Sequence, residues 1–156
     1  MGAYKDGQRV DIPGAATQKC ALFAIDTDTN LSGYGYRVQS IAATGAHNFG
    51  FCVPTDFVSL ASLEMVVAWE SGAVGAAKDI DLYSDYGAEG EAINKNSESD
   101  TTSTYTLAGP LTWEALDISS VFSAIAAGDK CGIKIDHKGI GGAGRYFAIK
   151  MVYNTA

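Results

Sequence analysis

The chain has 156 residues with 18 acidic and 11 basic side chains, and its net charge of −7 argues against non-specific binding to nucleic acid or anionic membranes. Hydrophobic residues make up 47% and charged residues 19%, which is typical of a folded domain and not of a disordered chain. No apolar run approaches the ~20 residues of a membrane-spanning helix. The first residues lack the basic start and apolar core of a signal peptide. We therefore expect one soluble domain with neither nucleic acid nor membrane as a partner.

The N-terminal segment, residues 1–19, has no periodic apolar face. We predict that it forms an extended arm and that residues 20–156 form a β-sandwich domain. An arm of this kind can reach a neighbouring subunit, so Tyr4 and Arg9 are candidate interface residues.

A polar turn after the first predicted strand resembles half of a calcium-binding loop. Asp26, Asp28 and Asn30 place oxygen atoms at alternate positions. An EF-hand is excluded because Leu31 and Arg37 stand where that motif needs glycine and a bidentate glutamate. A looser Ca²⁺ site is an alternative to a plain turn, and the sequence predicts no other cofactor.

Alternation of apolar and polar residues is the main pattern along the rest of the chain. In 131–137, for example, Cys131, Ile133 and Ile135 alternate with Lys134 and Asp136. Successive side chains of a strand point to opposite faces, so such runs predict half-buried strands. The eight predicted strands lie near residues 20–25, 35–42, 47–53, 63–70, 79–86, 103–107, 131–137 and 146–153. Eight short strands predict an all-β, antiparallel two-sheet sandwich, for which we favour a jelly roll over an immunoglobulin-like topology.

Two segments between the predicted strands have other patterns. Asp117 or Ser119 can cap, and Val121, Phe122 and Ile125 follow at helical spacing, so we predict one short helix near 118–127. The sequence NKNSESDTTS at 94–103 is rich in turn-forming residues and predicts an exposed loop.

A cluster of glycines precedes the last strand. The sequence GIGGAG at 139–144 matches the GxGxxG pattern, but a dinucleotide site needs a helix to follow, and a strand pattern follows instead. We therefore predict a glycine-rich hairpin loop between the last two strands. Glycine permits close approach of a neighbouring subunit, and the candidate interface residues here are Gly139, Gly141, Gly142 and Gly144.

Cysteine and histidine give no catalytic pattern. Cys20, Cys52 and Cys131 are odd in number and lack CxxC spacing, so we expect buried free thiols, with a Cys20–Cys52 or Cys20–Cys131 disulfide as the alternative. His47 and His137 are the only histidines, and neither GxSxG nor HExxH is present. We expect no enzyme.

Three stretches resemble uncharacterised structural proteins of tailed bacteriophages: FCVPTDFVSLASLEMVVAW, DLYSDYGAEGEAIN and LDISSVFSAIAAGDKCGIKI. The resemblance covers residues 52–135. It implies a β-sandwich on or in the virus particle, such as a capsid decoration protein, that associates with itself and with other virion proteins. The implied location is the virion, after synthesis in the host cytoplasm.

A second resemblance is narrower. The pattern DIS…IAAGD…GIKI is also similar to secreted jelly-roll modules that bind carbohydrate. A carbohydrate-binding module is therefore the alternative function, and an extracellular filament subunit is a third.

Overall fold

The computed structural model describes residues 8–11, 17–25, 29–30, 37–71, 77–106, 108–139 and 142–156. Within them the chain forms β-strands and a single turn of 3₁₀ helix at Ser119–Val121. The strands are β1 (Gln8–Asp11), β2 (Gln18–Ala24), β3 (Thr29–Asn30), β4 (Arg37–Ile41), β5 (Ala46–Cys52), β6 (Ser59–Trp69), β7 (Ala77–Gly87), β8 (Asn96–Asp100), β9 (Thr104–Thr106), β10 (Trp113–Asp117), β11 (Lys130–His137) and β12 (Gly144–Asn154).

The strands form two antiparallel sheets. In the first sheet β12 lies between β6 on one side and β2 with β4 on the other. β10 then pairs with β6, β1 pairs with β2, and β3 pairs with β4. In the second sheet β11 lies between β5 and β7, and β8 and β9 pair with successive parts of β7.

The order of pairing is that of a jelly roll. β2 and β4 follow one another along β12, and β8 and β9 follow one another along β7, so each pair counts as one strand position. With the short strands β1 and β3 set aside, which pair with β2 and β4, eight positions remain, and they pair first with last, second with seventh, third with sixth and fourth with fifth. This nested pairing confirms the predicted two-sheet sandwich and its jelly-roll form, and does not fit the immunoglobulin-like alternative.

The core lies between the sheets, where aromatic rings from each meet. Phe51 of β5 lies 5.4 Å from Phe23 of β2, measured between ring centroids, and Phe49 lies 5.5 Å from Tyr146 of β12. Each large apolar side chain buried in this way contributes roughly 1.5–3 kcal/mol. The alternation seen in the sequence therefore assigns the inner faces of β5 and β11 correctly, whereas in β12 a bulge between Tyr146 and Ala148 turns Tyr146 inward in place of Phe147.

The predicted helix near 118–127 is wrong, because only the turn Ser119–Val121 is helical there. The backbone N–H of Ile118 donates to the Leu63 carbonyl at 3.0 Å, which continues the β10–β6 pairing one residue further. Ile118 and Phe122 are both buried at the end of the sandwich. One turn is enough to bury them, since both sheets are within reach and no longer helical face is needed.

Two strands are missed because their sequences do not alternate between apolar and polar residues. β8 occupies Asn96–Asp100 inside the predicted loop 94–103, and β10 occupies Trp113–Asp117. The sequence NSESD has weak strand propensity, but five of its residues pair with β7. Both strands lie at sheet edges, where the neighbouring strand supplies the hydrogen-bond partners and little apolar burial is required.

The predicted glycine-rich hairpin is also wrong in its topology. β11 belongs to the second sheet and β12 to the first, so the two strands do not pair with each other as a hairpin. Period-two alternation cannot distinguish these connections, because it reports burial and not which strand is the neighbour.

Part of the predicted arm 1–19 has a place in the first sheet. β1 (Gln8–Asp11) pairs with β2 through four residues, and β2 begins at Gln18. Residues 1–7 and 12–16 lie outside the described part of the chain. A role of the arm in reaching a neighbouring subunit stays a prediction. Within the described ranges, no helix has the length and apolar character needed to cross a membrane.

Candidate functional site: a glycine-floored groove and the free edge beside it

Several residues singled out from the sequence fall outside the structural description: Tyr4, Asp26, Asp28 and Gly141. Arg9 lies on β1 with its Cα paired to Ala21, and Asn30 lies on β3 paired to Arg37. The described residues hold no group of three or more His, Cys, Asp or Glu side chains able to bind a metal ion. The calcium site at Asp26, Asp28 and Asn30 stays a prediction from the sequence.

The described glycines of the 139–144 cluster are explained by the chain's own packing. Gly139 and Gly142 have φ angles of 77° and 140°, which favour glycine. A Cβ on Gly142 would also collide with the Ser71 hydroxyl. A Cβ on Gly144 would lie 2.9 Å from the Trp69 ring. Their role as interface residues stays a prediction.

Two other glycines have no such explanation. Gly50 of β5 and Gly132 of β11 are Cα partners about halfway along these two neighbouring strands of the second sheet, and both face outward. A Cβ would lie 3.6 Å from the Cys131 carbonyl at Gly50 and 3.7 Å from the Asp85 carbonyl at Gly132, which are ordinary contacts. Glycine inside a strand costs about 0.5–1 kcal/mol relative to alanine. Such a position often marks a close approach of another molecule.

The paired glycines form the floor of a groove on the outer face of the second sheet. The row across the strands runs Gly50, Gly132, Asp85 and Ser97, and the Ser97 hydroxyl donates to the Asp85 carboxylate. The next row toward the 88–95 loop is Cys52, Lys130 and Gly87, and the row on the other side is Asn48, Lys134, Tyr83 and Ser99. The cavity lies over the first two of these rows and extends to Phe23 and Phe51, and it has a volume of about 1110 Å³.

The loop 88–95 forms one wall of the groove. It folds back so closely over Gly87 that a Cβ there would lie 2.7 Å from the Ala92 carbonyl. Glu91 holds the loop in place by accepting from the Ala88 N–H at 3.0 Å and by pairing with Lys95. Ile93 on this loop is 88% exposed and lines the groove.

Several charges around the groove form ion pairs. Lys130 pairs with Glu89 at 3.4 Å, and Lys134 pairs with Asp136 at 3.2 Å while its ammonium lies 5.1 Å from the centre of the Tyr83 ring. The hydrogen bond from the Lys138 ammonium, together with that from Lys134, lowers the pKa of Asp136. The cavity lining itself holds the carboxylates of Asp85, Glu89 and Glu91 and the ammonium of Lys130, so the groove is acidic like the chain as a whole.

One end of the groove opens at β5, the edge strand of the second sheet. The Gly45 carbonyl accepts from the His137 N–H at 2.9 Å, and the Val53 N–H donates to the Asp129 carbonyl at 2.8 Å. Hydrogen-bonded pairs alternate along an antiparallel ladder, so the odd-numbered residues of β5 are those bonded to β11. The N–H and C=O groups of the even-numbered residues point to the open side: Ala46, Asn48, Gly50 and Cys52.

The composition of β5 differs from that of the other sheet edges. Its seven residues, AHNFGFC, include no charged residue and no proline. The edge strands β1 (QRVD), β8 (NSESD) and β10 (WEALD) all carry charged residues, and β9 has only three residues. Proteins usually protect an exposed edge with charges, proline or bulges, because unpaired backbone groups recruit other strands. Among the described residues, β5 pairs with β11 alone.

The three cysteines are free, so neither proposed disulfide is formed. Cys131 is buried, and burial raises the pKa of its thiol. Cys52 is exposed at the edge of the groove, which makes the expectation of buried thiols wrong at that position. The outward direction of Cys52 follows from its place in β5, one position beyond the inward-facing Phe51.

His137 has both ring nitrogens engaged inside the core. Its Nδ1–H donates to the Ala42 carbonyl at 2.9 Å, so its Nε2 accepts from the Tyr146 hydroxyl at 2.8 Å. Burial lowers the pKa of His137 to about 4. The neutral ring is thus held by two hydrogen bonds at the end of the sandwich, away from the groove.

No protein-family model matches this chain, and none of the curated proteins matches it. The features from which a function can be inferred are therefore the groove, the β5 edge and the sequence patterns. Sequence reasoning missed Gly50 and Gly132, although each stands between inward-facing apolar residues, in FGF and CGI.

Proposed function

We propose that this chain is a non-enzymatic structural protein of a virus particle, such as a capsid decoration protein, that works by associating with copies of itself. The observation that carries the proposal is the long, uncharged edge strand β5, whose outward backbone groups are unpaired among the described residues. An edge of this kind favours association over a monomeric state.

The particle is suggested by two further features. Jelly rolls recur in viral capsid domains, although they also occur in lectins, so the fold alone does not assign a function. The resemblance of residues 52–135 to structural proteins of tailed phages favours the capsid class. Other virion proteins are then expected partners beside further copies of this chain.

Self-association is tested by sedimentation velocity over a wide range of protein concentration. We expect the mass to rise above that of one chain as concentration increases. Immunogold electron microscopy of particles from the native source then locates the protein on a capsid, on a tail or in a filament. A monomer at every concentration, together with no labelling of particles, would contradict the proposal. Labelling of extracellular filaments would favour the filament-subunit alternative.

A carbohydrate-binding module is the second candidate, and the groove is the observation that favours it. Asp85, Asn48 and Lys130 surround the glycine floor with hydrogen-bonding groups, and the half-buried Tyr83 lies beside it. Sugars are bound through such groups together with aromatic rings. Glycan arrays with and without Ca²⁺ test this candidate. Binding that is lost in Asp85→Asn but kept in Asp117→Asn, on the other sheet, would support it.

A further inference from the structure

We propose that two copies of the chain join along β5 in antiparallel orientation, so that their second sheets become one continuous sheet across a twofold axis. This inference rests on the proposed self-association and specifies its surface and its partner, which is a second copy of the same chain.

Backbone geometry provides the first argument. The outward N–H and C=O groups of β5 belong to alternate residues, Ala46, Asn48, Gly50 and Cys52. When a strand pairs antiparallel with its own copy, the same residues face each other on both sides of the twofold axis. Each copy then supplies donors and acceptors in the order that the other requires, which is the self-complementarity of an isologous interface.

Side chains at this edge leave room for a neighbouring strand. The outward-facing positions carry alanine, asparagine, glycine and cysteine, which are all small. On the inner face, Phe51 contacts Phe122 with ring centroids 5.4 Å apart, and Phe49 is only 7% exposed. The phenylalanines are therefore held by their own core, and a paired strand would cover that core's border without rearranging it.

Charge favours a second copy at β5 over the edge strands β8 and β10. Two copies that each carry −7 repel one another, and like charges placed opposite each other on paired strands are destabilising. Self-pairing of β8 would bring together Glu98 and Asp100 from both copies, and self-pairing of β10 would bring together Glu114 and Asp117. Self-pairing of β5 brings no charges together.

The unexplained glycine fits the same arrangement. Gly50 lies at the free edge, where a Cβ would meet only ordinary contacts within its own chain. In the joined sheet, the groove floor of one copy continues across β5 into the groove floor of the other. The absence of side chains at Gly50 then lets strands or loops of the two copies approach closely.

Substitutions at Asn48 provide the test. Its N–H points away from β11, so Asn48→Pro removes a donor from the free edge without removing one from the β5–β11 ladder. Asn48→Lys instead places a charge at the edge. The matched control is Ser99→Lys, which adds the same charge in the same outer row but at the opposite edge of the sheet. Circular dichroism confirms that each variant is folded.

Sedimentation velocity measures the dimer dissociation constant of each protein. We expect Asn48→Pro to raise the dimer dissociation constant roughly 10- to 30-fold. The substitution occurs once in each copy, so the dimer loses one hydrogen bond at each of two symmetry-related sites. Asn48→Lys is expected to weaken it as well, and Ser99→Lys to leave it unchanged. If the wild type associates and the folded Asn48 variants associate equally tightly, this inference fails while the proposed function stands. A wild type that is monomeric at every concentration defeats the proposed function itself.

Amide hydrogen exchange by NMR gives an independent readout. On association, the amides of Asn48 and Gly50 should become protected, whereas those of Phe49 and Phe51 are already bonded to β11 and should change little. The amides of Gly132 and Asp85 are already bonded between β11 and β7, so chemical-shift changes report on them instead; changes centred on these groove residues would place the contact on the sheet face and overturn edge pairing. Binding of an unrelated extended peptide to β5, with no dimer formed, would overturn the choice of partner.

Discussion

Lowering the pH from 7.0 to 5.5 is expected to reduce the free energy of unfolding by about 1.2 kcal/mol through His137 alone. The side chain is 1% exposed, and burial lowers its pKa from 6.5 to about 4 in the folded protein. Below pH 6.5 the unfolded chain binds a proton that the folded protein does not bind until pH 4. Stability is therefore complete above about pH 6.5 and is lost as the pH falls toward the folded pKa.

The magnitude follows from proton linkage at a single site. With pKa values of 6.5 unfolded and about 4 folded, the loss grows to about 3 kcal/mol as the pH approaches 4. The hydrogen bond to Ala42 and the charge of Asp136 oppose the shift, while the charge of Lys78 adds to it. Hydrogen bonds lower the pKa of Asp100 to about 2, so its contribution appears only at more acidic pH.

Urea unfolding followed by tryptophan fluorescence at the two pH values measures the loss. His137→Phe removes the titrating ring and should remove the pH dependence in this window, even if its overall stability is lower. His47→Gln is the matched control and should keep the dependence, since it removes the chain's other imidazole. NMR titration of the His137 ring checks the cause directly. Equal wild-type stability at both pH values, or a ring that titrates near pH 6.5, would refute the reasoning.

Three other substitutions and one labelling experiment test the groove and its surroundings. Gly87→Ala should lower the free energy of unfolding by about 1–3 kcal/mol, because the new methyl group collides with the overlying 88–95 loop, and thermal unfolding measures it. Gly50→Ala should instead stabilise the fold by about 0.5–1 kcal/mol, since the methyl group has room; a destabilised variant would contradict the open groove. Glu98→Gln should cost about 1–3 kcal/mol because the carboxylate accepts the Ser123 N–H on both oxygens and also the hydroxyls of Ser123 and Tyr86; unchanged urea unfolding would contradict this. A thiol reagent should modify Cys52 rapidly and Cys131 only after unfolding. If Cys52 reacts as slowly as Cys131 in the folded protein, the groove edge is closed.

The alternating runs of the sequence predict most of the strands, because a strand that buries one face has apolar residues at every second position. β6 and β12 are examples: both have apolar residues at alternate positions, and both are long central strands of the first sheet. The predicted helix at 118–127 failed for the opposite reason. Its apolar spacing correctly indicates burial at Val121 and Phe122, but helical spacing over one turn does not distinguish a helix from a turn packed between two sheets.

The candidate site was less predictable than the fold. The glycines at 139–144 are clustered in the sequence and were predicted to lie at an interface. Local backbone angles and contacts explain the ones that the structure describes. Gly50 and Gly132 are isolated in the sequence, 82 positions apart by their numbers, and only strand register makes them partners. The free edge of β5 is likewise a property of sheet order, which no local pattern encodes.

The sequence by itself determined that this protein is an all-β sandwich, because each strand must bury one face whatever its neighbours are. Tertiary structure alone decided which strands became neighbours, and with that the jelly-roll order, the strand state of NSESD at β8 and the position of β5 at an edge. The physical reason is that the type of each residue reflects whether its side chain is buried, whereas backbone hydrogen bonding between strands is almost independent of the side chains. The surface proposed for assembly consists of such backbone groups, and it became visible only when the pairing was known.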